Sequence, residues 1–114
     1  MISIFHNPRC SKSRQTLQLL QEKGIEPEII LYLETPPDKA TLQTLLTKLG
    51  FTARELLRKG EADYKDNQLK NPELSDDQLV DFMLQYPKLI ERPIVINGKK
   101  AAVGRPPESV LEIL

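Results

Sequence analysis

One cysteine stands among cations near the amino end. The run His6-Asn7-Pro8-Arg9-Cys10-Ser11-Lys12-Ser13-Arg14 contains the chain's single cysteine together with Arg9, Lys12 and Arg14. Before it, Ile2-Ser3-Ile4-Phe5 alternates apolar and small residues as a short strand does, and Asn7-Pro8 breaks that pattern. After it, Leu17, Leu20 and Ile25 recur near helical spacing, so Cys10 is expected where a strand ends and a helix begins. The first N–H groups of a helix have no internal partner and carry roughly half a positive charge. A thiol placed there ionises readily, with a pKa of about 3.5–7.5 against about 8.5 for a free cysteine, and the thiolate is the nucleophilic form. Cations in a first helical turn are opposed by the dipole, and a bound anion relieves that conflict: the thiolate itself, an oxyanion, or both. The same residues also admit a plainer reading, in which Cys10 is a small buried apolar residue and the cations are solvated surface.

The elements that must position this segment can be read along the chain. The helix after Cys10 is expected to end at Gly24, and Ile29-Ile30-Leu31-Tyr32-Leu33 is an apolar run suited to a buried strand, completing a βαβ unit with parallel strands. Pro36-Pro37 ends that run. Asp38 then opens a helix through Leu42, Leu45, Leu46 and Leu49, closed by Gly50, and Thr52 with Glu55 forms a capping box before Leu56 and Leu57. A second capping box, Ser75 with Gln78, precedes the stripe Leu79, Val80, Phe82, Met83 and Tyr86. Pro93-Ile94-Val95-Ile96, Asn97-Gly98 and Lys99-Lys100-Ala101-Ala102-Val103 read as a hairpin, and Pro106-Pro107-Glu108 begins a last helix with Val110, Leu111 and Leu114 facing inward. The fold class predicted is α/β: a mixed four-stranded sheet of order βαβ…ββα in one domain, residues 1–114, with a helical insertion at about residues 36–88.

Composition narrows the function. Sixteen basic residues balance sixteen acidic ones, so a general electrostatic grip on nucleic acid or an anionic membrane is not expected. No apolar run reaches transmembrane length and no signal-peptide pattern is present, which predicts a cytoplasmic protein. One cysteine and one histidine cannot assemble a structural zinc site, and no bound metal or cofactor is expected. A single thiol takes part in two-electron chemistry only with a second thiol from outside.

Three arginines recur in suggestive settings: Arg58 after the apolar end of the helical block, Arg92 before Pro93, and Arg105 before Pro106. A guanidinium offers planar donors matched to tetrahedral oxyanions and stays charged. Their convergence on Cys10 would build an oxyanion pocket, although each taken singly reads as a surface residue.

The motifs together resemble a known family. His6-Asn7-Pro8-x-Cys10-x-x-Ser13, Ile29-Ile30-Leu31-Tyr32-Leu33, Leu56-Leu57-Arg58-Lys59, Asp76-Asp77-Gln78-Leu79 with Asp81-Phe82-Met83, Arg92-Pro93-Ile94-Val95 and Gly104-Arg105-Pro106 are similar, in one register, to the glutaredoxin-linked arsenate reductases, the ArsC type with a thioredoxin-like fold. The resemblance implies that Cys10 attacks arsenic, that Arg58, Arg92 and Arg105 hold the oxyanion, and that His6 and Ser13 support the thiolate, for which Arg14 is a further candidate by its local positive charge. It implies arsenate as substrate, glutathione as co-substrate and glutaredoxin as the partner that clears a Cys10–glutathione disulfide. Arg9 is a departure, standing where some members have a small residue. The same fold serves Spx-type regulators of RNA polymerase, whose Cys-x-x-Cys switch cannot form here because the second position is Ser13, so the alternative reading is a polymerase-interacting regulator without the redox switch. A glutathione-dependent oxidoreductase acting on protein disulfides is the third reading, one for which an arginine-rich pocket is superfluous.

Overall fold

Alternation of apolar and small side chains makes β1 of Ile2–Phe5, with Ile4 and Phe5 buried. In the computed structural model, which describes residues 1–114, β1 is central to the first of two units, residues 1–35 with 92–114; the second comprises residues 36–91. The chain leaves β1, forms α1 (Ser11–Glu22), and returns as β2 (Glu28–Ile30), which lies parallel to β1. β3 (Ile94–Asn97) runs antiparallel on the other side of β1 and pairs with β4 (Lys100–Val103), giving the order β2-β1-β3-β4. This is the expected α/β thioredoxin-like topology, a mixed four-stranded sheet with helical insertions.

One sheet face buries Ile4 and Val95 against Leu20 of α1 and Val110 near the carboxyl end, with Ile2, Leu17, Ile25, Ala102 and Ile113 around them. Phe5 alternates to the opposite face, where its ring stacks on Tyr32 with centroids 6.0 Å apart. α1 is therefore fixed along its length by apolar contacts, and its amino end is held where β1 delivers it.

Three local expectations need correction. The apolar run Ile29–Leu33 is not a buried strand: only Glu28–Ile30 pairs, and Ile29 is 47% exposed because β2 is an edge strand. The chain turns at Leu31, whose carbonyl accepts from the N–H groups of Glu34 and Thr35 at 2.9 Å, and Tyr32 leaves the strand direction to meet Phe5. The last helix is a 3₁₀ helix, Pro107–Ile113. Side chains three apart eclipse in that geometry, so Pro107, Val110 and Ile113 point inward while Leu111 and Leu114 are 38% and 42% exposed. In the hairpin the pair Asn97–Lys100 closes the ladder, so the loop is Gly98-Lys99 rather than Asn97-Gly98. Gly98 takes φ 61° at its first position, where a type II′ turn requires a residue without a Cβ.

The second unit is helical: α2 (Lys39–Leu49), α3 (Ala53–Leu56), α4 (Ala62–Asp66), α5 (Asp76–Gln85) and a 3₁₀ turn at Pro87–Leu89. Asp38 caps α2 by accepting from the Thr41 N–H at 2.8 Å, and both expected capping boxes, Thr52 with Glu55 and Ser75 with Gln78, are complete. Leu42, Leu45, Leu56, Leu69, Leu79, Met83 and Leu89 are its buried interior. An isolated bridge between Leu57 and Ile90 ties α3 to the end of the unit, with the Arg58 N–H donating to Leu89 O at 2.8 Å and the Glu91 N–H to Leu56 O at 3.0 Å. No helix is long and apolar enough to cross a membrane.

The 3₁₀ register makes a testable distinction between two leucines. Leu20→Ala removes a fully buried side chain and is expected to lower stability by about 2–5 kcal/mol in urea unfolding. Leu111→Ala, on the exposed side of the last helix, is expected to change it by no more than about 0.5 kcal/mol.

Candidate active site

Between the end of β1 at Phe5 and the start of α1 at Ser11 lies the loop that presents Cys10. Asn7 braces it from three directions: its carbonyl accepts from the Cys10 N–H at 3.0 Å, its Oδ1 accepts from the Arg9 N–H at 3.0 Å, and its own N–H donates to Ser13 Oγ at 3.0 Å. Cys10 occupies the N-cap position of α1 with extended backbone, φ −92° and ψ 124°. That position turns its sulfur toward the orphan N–H groups of the first turn, and those of Ser13 and Lys12 act on it.

Cys10 is 8% exposed. Burial pushes its thiol pKa up, but the Ser13 N–H, the hydrogen bond and charge of the Arg92 guanidinium, and the Lys12 N–H together outweigh burial and hold it below that of an ordinary thiol. Arg105 adds a direct contact, its Nη2 donating to Cys10 Sγ at 3.3 Å. The two arginines are themselves joined, since Arg105 Nε donates to the Arg92 carbonyl at 2.7 Å. Each precedes a proline through a cis peptide bond, Arg92-Pro93 and Arg105-Pro106. Cys10, Arg92 and Arg105 thus meet from three separate parts of the chain.

The remaining site candidates are placed differently. His6 Nδ1 lies 2.6 Å from Ser13 Oγ, and both side chains are buried. Burial, and then the charge of Arg14, lowers the His6 pKa, so the imidazole is held neutral. Arg14 Nη1 donates to the Pro8 carbonyl at 2.9 Å and ties the loop back to the helix. What reaches the sulfur from Lys12 is its backbone N–H, and Arg9 is exposed. The cationic side chains that act directly on the sulfur are therefore Arg92, through a hydrogen bond and its charge, and Arg105, through a hydrogen bond. Arg58 lies in the second unit, where its Nη1 donates to Glu91 Oε1 at 2.6 Å and its Nε sits 3.5 Å from Glu61 Oε2. No group of three or more His, Cys, Asp or Glu side chains is arranged to hold a metal ion.

Residues 5–113 match the model of the ArsC family. The chain is 57% identical to the protein named "Uncharacterized protein YfgD" of Escherichia coli K12, covering 99% of this chain and 96% of that one. It is 49% identical to an Escherichia coli protein named "Arsenate reductase", covering 99% of this chain and 80% of that one. The solved structure named "Arsenate reductase from Vibrio cholerae" superposes with a TM-score of 0.97 at 51% identity, covering 99% of this chain and 97% of that one. The chain belongs to the ArsC family. It is an enzyme of the ArsC reductase type.

Membership in the ArsC family corrects one expectation. The glutathione and glutaredoxin cascade expected around Cys10 runs through three cysteines, and this chain brings one. What its relatives support is its identity as an ArsC-type reductase. Sequence reasoning also passed over Asn7, Thr16 and Gly104. Asn7 is legible as a turn signal beside Pro8 and as part of the cysteine motif, and Gly104 as part of the Gly-Arg-Pro motif, but neither signal gives it a structural role.

Two measurements test these electrostatics. Unfolded His6 takes up a proton near 6.5 and folded His6 only at lower pH. Between those values the unfolded chain binds more protons, so stability is expected to fall as pH drops through that window, and to fall less steeply in His6→Gln. For Cys10, Arg92→Ala is expected to raise the pH at which iodoacetamide alkylation reaches half its maximal rate, because it removes a hydrogen bond and a charge that favour the thiolate.

Proposed function

We propose that this enzyme reduces a tetrahedral oxyanion of the arsenate class, with Cys10 as nucleophile and Arg92 and Arg105 as the groups that hold the anion. Thiolate and arsenate are both negative, and two such charges about 4 Å apart repel by about 4 kcal/mol at an effective dielectric near 20. Unopposed, that repulsion costs about three decades in rate. Two guanidinium groups beside the sulfur offset it and offer donors to the oxyanion's equatorial oxygens.

The Cys10 sulfur attacks As(V), an oxygen leaves as water after protonation, and an S–As bond forms. Reduction to As(III) needs two electrons. A second thiol from outside the chain supplies them: its sulfur bonds to Cys10 Sγ, the S–As bond breaks, and its electron pair departs with arsenic as As(III). His6 and Ser13, bonded to each other, support the first turn whose N–H groups face the sulfur, and Arg14 fixes the loop ahead of it.

The observation that carries this reading is Arg105 Nη2 at 3.3 Å from Cys10 Sγ, with Arg105 Nε anchored on the Arg92 carbonyl at 2.7 Å. The reading uses residues of the first unit alone.

Arsenite formation from arsenate, with dithiothreitol as the thiol donor, tests it directly. Cys10→Ser is expected to abolish enzyme-dependent turnover, and Arg92→Ala or Arg105→Ala to lower kcat/KM by about 10²–10³. Turnover that survives in Cys10→Ser overturns the reading.

A further inference from the structure

Gly104 follows β4 and precedes Arg105, and it has no room for a side chain. A Cβ there would stand 2.5 Å from Thr16 Oγ1, 2.8 Å from Pro93 Cγ and 3.1 Å from Thr16 Cγ2. Contacts under 3.0 Å are essentially unknown for real Cβ atoms, so the backbone at 104 is seated directly on the side chain of Thr16. Thr16 is fully buried on α1, one turn beyond Lys12, and its Oγ1 donates to the Lys12 carbonyl at 2.8 Å. On the other side, the Gly104 N–H donates to the Pro93 carbonyl at 2.9 Å. Gly104 is therefore held between the helix that begins beside Cys10 and the residue that follows Arg92, while carrying Arg105 as its own neighbour. No intervening side chain can absorb a change in spacing.

We propose that Thr16 and Gly104 are positioning residues, whose direct contact sets the distance between the Arg105 guanidinium and the Cys10 sulfur. Thr16 acts from the helix side and Gly104 from the strand side. Neither touches the sulfur or an oxyanion. A methyl group at 104 forces the loop away from α1 by several tenths of an ångström, and the 3.3 Å contact from Arg105 Nη2 lengthens with it. A thiolate loses stabilisation as its cation withdraws, so the displacement is read in the ionisation of Cys10.

This inference rests on Cys10 working as a thiolate, but its readout requires no substrate: the pKa of Cys10, from the absorbance of the thiolate near 240 nm or the pH profile of alkylation. Loss of arsenate reduction alone would not touch it, and its own failure would leave the oxyanion reading intact. In Gly104→Ala the Cys10 pKa is expected to rise by about one unit. Adding Thr16→Ala, which removes two of the three obstructing atoms, is expected to recover at least half of that rise. Val110→Ala loosens the core cluster of Ile4, Leu20 and Val95, none of which is among the atoms nearest a Cβ at 104, and is expected to leave the pKa unchanged, which separates positioning from general destabilisation. A folded Gly104→Ala protein with an unshifted Cys10 pKa, or no recovery in the double variant, overturns the proposal. If Gly104→Ala does not fold, Thr16→Ala alone decides: the helix side of the contact is then missing, a raised pKa supports the proposal and an unshifted one overturns it.

Discussion

Withdrawing a sulfur from water favours its neutral form, and Cys10 is almost entirely withdrawn. Everything else around it opposes that preference. The Ser13 and Lys12 N–H groups belong to a helix end whose donors have no other partners, and the Arg92 and Arg105 guanidinium groups stay charged at any relevant pH. Low solvent exposure, which by itself would silence the thiol, also makes each of these interactions stronger than it would be in open water. The Cys10 pKa, held below that of an ordinary thiol, reflects the balance between one unfavourable influence and several favourable ones. Loss of any one donor shifts that balance.

The fold supplies the geometry by crossing distant segments at one point. β1 and α1 bring the sulfur to a helix end. β3 and β4, antiparallel neighbours, start and finish on the same side of the sheet, so Arg92 just before β3 and Arg105 just after β4 arrive together. The apolar contacts of Leu20 with Ile4, Val95 and Val110 keep α1 on the sheet, and a buried His6–Ser13 pair keeps its first turn in shape. Burial of a neutral histidine next to a hydroxyl costs little, because each satisfies the other.

How much of this could be read in the sequence depended on whether the information was local. The Asn7-Pro8 break, the helical spacing of Leu17 and Leu20 and the two capping boxes placed Cys10 and most helices, since each is decided within a few residues. The contact of Arg105 with Cys10 spans 95 residues, and nothing in either neighbourhood encodes the other. The nearby cations are the misleading signal: charge close in sequence need not be charge close to the sulfur, and here Arg14 turns to a carbonyl and Arg9 to solvent. Leu111 and Leu114 were placed by α-helical spacing, and a 3₁₀ helix shifts which residues share a face. Gly104 illustrates a further limit: the Gly-Arg-Pro motif shows the residue, but not that a Cβ there would meet Thr16 and Pro93.

The sheet ends on two short margins, β2 with three residues and β4 with four. An open margin is a template on which another chain can add a strand, and such addition seeds aggregation. Here β2 opens with exposed Glu28 and turns away after Ile30, while β4 opens with exposed Lys100 beside Lys99. Short strands and charged openings at both margins are features that oppose the addition of a further strand there.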